Sequence, residues 1–395
     1  MRRPVAGVGT GADGAIADRV LRIGFDGTPL LGKKTGVGWY THELIDAVAR
    51  RSPGSELVVF PISWRTARTL HLDPPHRPNV KVARRMAPAR PLWALWDRVP
   101  FPPVEWLVGC NVFHATNFLS PPSRKIPTVV TVHDIGFVRD PESVTPAIRR
   151  MAKLLPTVLR RASVIVAVSN FTRDELAWWM PEISDRIRVI PNGSHGRLAP
   201  RSGTGAGRKG APYALMLGTL EPRKNVQLAL DALAVLRKEG SNLRLVLAGA
   251  ASSALKVGPL LDERGLGPSD VTITGYVDDA RMAELVSGAS MLVFPSLYEG
   301  FGMPLIEAME AGLPIVAVRA GATPETVGDA GVLVEPGDPG AFADAMSRVA
   351  SDESLRAELV TAGHRQATQF TWDRAADLAI EIYEELAADQ ADCSA

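Results

Sequence analysis

The chain repeats a simple pattern: a short, wholly apolar run, a polar turn, then a stretch with apolar residues three or four apart. Residues 21–26 read as a first strand. Gly32, Gly36 and Gly38 punctuate the loop after it, and 39–50 carries Leu44, Ile45 and Val48 at helical spacing. Residues 57–61, 129–132, 164–168 and 188–190 read as further strands, with a helix from about 172. At 196–212 the composition turns to Gly, Ser, Arg, Pro and Thr, which marks a linker. A second series follows, with strands at 213–217, 243–248, 271–274, 291–294 and 314–318. Its helices lie at 225–238, 280–287 and 304–311, and another turn and helix start at Pro324. Residues 371–386 place Ala375, Leu378, Ile382 and Leu386 on one face and read as an amphipathic helix. Strands alternating with helices predict parallel sheets with right-handed crossovers. The expected division is an N-terminal α/β domain at 20–195, a linker at 196–212 and a C-terminal α/β domain at 213–370. A last helix, about 371–388, is expected to pack back on the first domain.

Length and composition agree with two cores rather than one. The chain has 395 residues, 46% of them hydrophobic and 22% charged. No run approaches the roughly eighteen uncharged apolar residues of a membrane span. Arg2 and Arg3 are not followed by an apolar h-region, so residues 1–18 do not read as a signal peptide. Cys110 and Cys393 have no Cys or His at metal-ligand spacing, and a reducing, cytoplasmic setting is expected. The net charge of +1 hides an asymmetry. Residues 1–200 hold 28 Lys and Arg against 16 Asp and Glu, a net +12; the rest hold 16 against 27, a net −11. So basic a first half suits an anionic partner, such as a phospholipid surface or a phosphate-bearing acceptor. Solvated faces attracting each other across a cleft are the equal alternative. Nucleic acid is not expected as a partner.

The most specific stretch runs Glu299-Gly-Phe-Gly-Met-Pro-Leu-Ile-Glu307, directly after a strand that ends Phe294-Pro295-Ser296. Pro304 suits a first helical turn, where its missing N–H costs nothing. Gly300 and Gly302 allow a ligand close to the backbone, and free N–H groups at a helix start bind hydroxyl or phosphate oxygens. With about 1.5 Å of rise per residue, Glu299 and Glu307 stand on the order of 10 Å apart. That suits the two ends of one extended ligand better than a paired acid and base. A second stretch, Gly218-Thr-Leu-Glu-Pro-Arg-Lys-Asn225, puts Arg223 and Lys224 at the carboxyl end of a strand, a natural diphosphate clamp. The loop from Gly32 to Gly38 holds the corresponding place in the first domain, although a simple tight turn reads equally well. His133-Asp134 ends a buried strand, where the plainer alternative is a satisfied core histidine.

With these residues in place, the chain resembles the retaining glycosyltransferases of family 4, of GT-B fold: two Rossmann-like domains facing each other across a cleft. The Glu-x7-Glu pattern at Glu299 and Glu307 is the mark of that family, and the resemblance runs from about Leu21 to Leu386. It implies that Glu299 contacts the donor sugar hydroxyls and Glu307 the nucleotide ribose. It implies that Arg223 and Lys224 hold the diphosphate, with Gly36 and Gly38 approaching from the other domain. Gly218, Gly300, Phe301 and Gly302 belong to the same donor-binding set. His133 matches the family histidine near the transferred sugar, and Ser169 and Asn170 match a loop at the cleft edge. The block Thr131-Val-His-Asp-Ile135, with Asp140-Pro-Glu142, is most similar to the mannosyltransferases of surface-polysaccharide assembly. Asn192-Gly-Ser-His195 departs from the family's usual Gly-Val-Asp.

The activity so implied is transfer of a hexose, mannose from GDP-mannose, to a saccharide or lipid-linked acceptor with anomeric retention. A UDP sugar on the same fold, or a nucleotide-sugar epimerase, are the alternatives, and a non-enzymatic sugar-nucleotide binder is the remotest. No Asp-x-Asp motif lies in the cleft segments, so neither metal nor another cofactor is expected. One more segment bears on the acceptor. Arg77, Lys81, Arg84, Arg85, Arg90 and Arg98 interleave with Trp93, Trp96, Phe101 and Trp106. Such a segment suits peripheral contact with an anionic leaflet at the inner membrane face. Core tryptophans and solvated arginines are the plainer reading, and five prolines between 88 and 103 argue against one long helix.

Overall fold

The computed structural model describes residues 20–62, 71–83, 92, 95–96, 99–141, 144–194, 196, 212–250, 252 and 255–392. Most of the expected linker, 197–211, lies outside them, as do Arg84, Arg85, Arg90, Trp93, Arg98, Glu142, His195 and Cys393.

The first lobe is a seven-stranded sheet of β1 (Arg22–Asp26), β2 (Glu56–Phe60), β3 (Val80–Val82), β4 (Val112–Ala115), β5 (Thr128–Val132), β6 (Val164–Ala167) and β7 (Ile187–Val189). Every pairing is parallel, in the order β3-β2-β1-β4-β5-β6-β7. All five residues of β5, Thr-Val-Val-Thr-Val, are buried, as expected of a parallel strand covered on both faces. The second lobe is a six-stranded parallel sheet of β8 (Tyr213–Leu217), β9 (Arg244–Ala248), β10 (Val271–Gly275), β11 (Met291–Phe294), β12 (Ile315–Val318) and β13 (Gly331–Val334). Its order is β10-β9-β8-β11-β12-β13. The order reverses at β1/β4 and at β8/β11, and ligands of such sheets sit outside the carboxyl ends of strands at those points. Two Rossmann-like lobes of this kind make the GT-B fold.

The last helix, Trp372–Asp392, packs on the first lobe's opening helix, Gly36–Arg51. Arg50 pairs with Asp373 and Arg51 with Asp377 across that contact. The chain therefore crosses between lobes twice, and the crossings touch. A Cβ on Gly193 would stand 2.3 Å from the backbone nitrogen of Trp372, and the Ser194 N–H donates to the Phe370 carbonyl at 3.1 Å. That docking gives the departure at Asn192-Gly193-Ser194 a structural place.

Several elements escaped the sequence pattern. β3, β4 and β13 are three or four residues long, and β4 carries a polar His114 in its centre. The helix Pro146–Arg161 holds Pro156 inside it, a residue that ordinarily signals a break. The helices Pro339–Ser351 and Glu353–Ala367 were not separated from the turn at Pro324.

The basic, tryptophan-bearing segment is not one surface. Arg77 makes a two-pronged pair with Asp46, and Lys81 pairs with Glu56. Trp96 is buried and its indole N–H donates to the Pro102 carbonyl at 3.0 Å, so it is a core residue. Phe101 and Trp106 are exposed, edge to face with centroids 5.3 Å apart. Among the described residues no helix is long and apolar enough to cross a membrane.

Candidate functional site

The carboxyl ends of β8, β9 and β10 and the start of the helix Met303–Glu310 face the Gly32–Gly36 loop across a cleft of about 710 Å³. The strand ends are held backbone to backbone. Gly218 adopts φ +114°, and a Cβ on Gly249 would fall 1.8 Å from the Gly218 carbonyl oxygen. Pro222–Lys224 then forms a single 3-10 turn, closed by Asn225 at φ +52°. This turn presents Arg223 and Lys224 to the cleft.

Both cations are anchored by one buried carboxylate. The Lys224 ammonium donates to Glu299 Oε1, and Arg223 Nη1 donates to Glu299 Oε2 at 3.1 Å. Arg223 also reaches the Tyr298 carbonyl at 3.2 Å and Glu221 at 2.6 Å. Lys224 is itself buried, with its Nζ 5.2 Å from the Phe294 ring centroid. Burial alone would raise the Glu299 pKa; Lys224 and Arg223 outweigh it and hold the carboxyl below its ordinary range. For Arg223 burial pulls downward, and Glu299 and Glu221 more than offset it. The site therefore holds an ionised, mutually supported triad. The loop that carries Glu299 is itself held by Ala322, whose N–H donates to the Glu299 carbonyl at 2.9 Å. Beside it, a Cβ on Gly321 would meet the Glu299 backbone at 2.7 Å. At φ +94°, Gly302 turns the chain into the helix, with Pro304 in its first turn. Glu307, buried on that helix, lines the cleft.

On the first lobe, His133 ends β5. Its Nε2 lies 2.9 Å from the Thr116 carbonyl, so that nitrogen carries the proton and Nδ1 is left as an acceptor. The ring meets Tyr40 edge-on at 4.7 Å and Phe118 at 5.9 Å. Burial lowers its pKa, and the Thr116 carbonyl and Asp134 only partly counter that, so the imidazole is neutral near pH 7.

The lobes touch through these same segments. The Gly300 carbonyl accepts from Ser169 Oγ at 2.5 Å and Thr172 Oγ1 at 3.1 Å, and a Cβ on Gly300 would collide with the His133 carbonyl at 1.7 Å. Glu325, from the second lobe, accepts from the N–H groups of Asn170 and Phe171 at 3.0 and 2.9 Å. It thereby caps the start of the first lobe's helix Asn170–Trp179. Lys33 stands over the Tyr276 ring, 3.3 Å from its centroid.

Of the residues singled out from sequence, Gly36, Gly218, Arg223, Lys224 and Glu307 line the cleft. Glu299 and Gly300 stand behind that wall, against the cations and His133. Phe301 and Gly38 are placed otherwise than their motifs suggest. Phe301 is buried against Phe370, and Gly38 packs on the Pro29 carbonyl, 2.7 Å from where a Cβ would be. Sequence reasoning did not single out Lys33, Lys34, Tyr276 or Glu325. Adjacent lysines in a Gly-rich loop, and an aromatic one residue past a strand's carboxyl end, were the available signals for the first three. Glu325 offered none. Among the described residues no three His, Cys, Asp or Glu side chains form a group that could hold a metal ion.

Comparison with known proteins bears on the family and the fold. The profile of Glycosyltransferase Family 4 matches residues 34–194, and that of Glycosyl transferases group 1 matches 205–366. An O-antigen chain mannosyltransferase B from Escherichia coli is 32% identical over 77% of this chain and 79% of its own length. A D-inositol 3-phosphate glycosyltransferase from Streptomyces avermitilis is 30% identical over 65% of this chain and 60% of its own. Sucrose-phosphate synthase from Thermosynechococcus elongatus superposes with a TM-score of 0.72 at 22% identity, covering 93% of this chain and all of that one; it speaks to the fold alone. Two facing Rossmann-like lobes, both family profiles and the Escherichia coli relative lead to one conclusion: the chain belongs to the family 4 glycosyltransferases.

Proposed function

We propose that this glycosyltransferase moves mannose from GDP-mannose to a hydroxyl of a saccharide or lipid-linked acceptor, with retention and without a metal or other cofactor. The observation that carries the reading is the cleft-wall pair Arg223 and Lys224, anchored by buried Glu299. A diphosphate fits against these cations and the N-terminus of the helix Met303–Glu310. Glu307 takes the ribose hydroxyls and Gly36 leaves open space for the donor's other side, while Glu299, behind the cations, takes the sugar hydroxyls as the diphosphate takes over part of its pairing. The mannosyltransferase relative supports the choice of sugar.

The sugar C1–O bond breaks and its electron pair passes to the diphosphate oxygen. The acceptor oxygen bonds C1 on the same face and gives its proton to the leaving phosphate. Arg223, Lys224 and the helix start stabilise the growing anion, each commonly worth about 3 kcal/mol. His133 offers Nδ1 as a neutral acceptor near the sugar, and inter-lobe contact keeps water out. On this reading residues 20–195 with 371–388 form the acceptor side and 213–370 the donor side.

Transfer assays with GDP-mannose, UDP-glucose and UDP-N-acetylglucosamine, each with and without EDTA, test the proposal. Transfer from a UDP sugar alone overturns the donor. Loss in EDTA that Mg²⁺ or Mn²⁺ restores overturns the metal-free reading, and a β-linked product overturns retention.

A lipid-linked acceptor at the cytoplasmic face of a membrane is favoured by one surface. The helix Pro146–Arg161 carries Arg149, Arg150, Lys153, Arg160 and Arg161, all exposed, and no acidic residue. Salt-sensitive sedimentation with anionic vesicles supports that acceptor; no sedimentation at low salt leaves a free saccharide.

A further inference from the structure

Among the described residues of the first lobe, His114 is a buried titratable group that the proposed chemistry does not use. It is fully inaccessible, and both ring nitrogens are occupied. Nδ1 lies 2.6 Å from the Tyr383 hydroxyl, on the last helix, and Nε2 lies 2.8 Å from Thr131 Oγ1, on β5. Thr131 Oγ1 in turn lies 3.0 Å from the Tyr40 hydroxyl, on the first helix. Tyr40 meets His133 edge-on, and its other ring neighbour is Trp372, at 5.7 Å, where the chain crosses back from the second lobe. The next residue, Thr41, donates to Thr116 Oγ1 at 2.8 Å, and the Thr116 carbonyl holds His133 Nε2.

A buried histidine is a costly way to fill a strand unless both nitrogens are satisfied. Here they are, in a chain that starts 269 residues away in sequence and ends against His133. Apolar residues would dock the last helix as well; a closed polar chain adds one defined arrangement.

We propose that Tyr383 is a positioning residue: through His114, Thr131 and Tyr40 it fixes the orientation of the imidazole of His133, the residue whose carbonyl meets Gly300 behind the cleft wall. The last helix thereby reports the docking of its crossing to the reacting centre. The proposal rests on the reading of His133 as a residue beside the transferred sugar.

The test uses the full chain with Tyr383→Phe, and Tyr40→Phe as a second variant should the first fold poorly. Tyr40→Phe keeps the ring against His133 but breaks the bond to Thr131. Turnover is measured with GDP-mannose, or with UDP-glucose if that is the sugar nucleotide consumed. NMR of histidine-labelled protein follows the His133 ring without any substrate. The expected result is a kcat about tenfold lower, the size of one lost buried hydrogen bond, with the donor KM unchanged. The His133 ring signals shift or broaden in the same variants. Unchanged kcat, or a loss with His133 signals unmoved, overturns the proposal. Near-normal turnover by His133→Ala sinks the reading of His133 itself, and the proposal with it. Loss in His133→Ala with both tyrosine variants normal sinks the network alone.

Discussion

The two lobes keep their buried polar groups in opposite states. On the second lobe Glu299 is held ionised by Lys224 and Arg223. On the first lobe burial pushes the groups behind the cleft toward their neutral forms, while Asp73 at the cleft itself, paired with Lys34, is held below its ordinary range. His114 is pushed down to about 3 and His133 is lowered; Asp26 is raised to about 6, and Tyr40 and Tyr383 are raised as well. The second lobe keeps paired charges beside the cleft, as the proposed diphosphate ligand requires. The first lobe's buried histidines and tyrosines stay neutral, which suits a reaction that moves a proton. The buried groups of the two lobes therefore differ in electrostatics as well as in sequence.

The sharpest way to break this comparison is to remove a charge from the second lobe. Lys224→Ala takes one partner from a buried carboxylate and should cost about 3–5 kcal/mol of stability. It should also lower kcat by about a hundredfold or more, the loss of one key donor. Adding Glu299→Gln should restore much of the stability but none of the turnover, read by thermal unfolding beside a transfer assay. If Lys224→Ala is as stable as the parent, the charged wall is not a buried triad.

The effect of burial on the first lobe is tested at Asp26, whose carboxyl accepts from the Thr28 N–H and hydroxyl at 2.9 and 2.6 Å. Burial raises its folded pKa from 3.8 to about 6, against the lowering effect of those hydrogen bonds. Folding disfavours the ionised form, so this group's contribution is full below pH 4 and is lost as pH rises toward 6 and beyond. Asp26→Asn keeps the acceptor oxygen and should gain up to about 3 kcal/mol at pH 8, with little gain at pH 4. Equal denaturation midpoints of parent and variant at pH 8 would count against a disfavoured buried charge at Asp26.

A third change tests the contact between the walls. Gly300→Ala drives a Cβ into the His133 carbonyl. Holding the lobes apart by an ångström should lower kcat/KM about a hundredfold. The affinity for GDP should move little, and X-ray scattering should show a larger radius of gyration. Unchanged kinetics would mean that turnover does not need this contact. The smallest effect is expected at Glu307→Gln, which removes one carboxylate from the cleft and should weaken GDP binding about tenfold by calorimetry. Identical affinity would take Glu307 out of nucleotide recognition.

The legibility of the site follows the same division. Glu299, Glu307, Arg223 and Lys224 lie in two short contiguous stretches after strands, so local pattern alone was enough to single them out. His133 was marked by its place at the end of an apolar run. Phe301 and Gly38 sit inside readable motifs, yet packing against Phe370 and Pro29 takes them away from the cleft. Trp96 was grouped with Phe101 and Trp106 by sequence spacing, and burial separates them. Pro156 concealed a sixteen-residue helix, because a proline's meaning depends on whether neighbours supply the packing that its lost hydrogen bond does not.

By itself, then, the sequence determined the alternation of strands and helices, the two α/β units and the charged motifs of the second lobe. Each rests on apolar periodicity or on residues adjacent in the chain, which act over one or two turns of backbone. Only the tertiary structure decided that Gly300 must be bare beneath His133, that Glu325 caps a helix of the other lobe, and that Tyr383 reaches His114. Those relations join residues 154 to 269 positions apart, and no local pattern can encode a contact whose partner is chosen by how two lobes and two crossings pack.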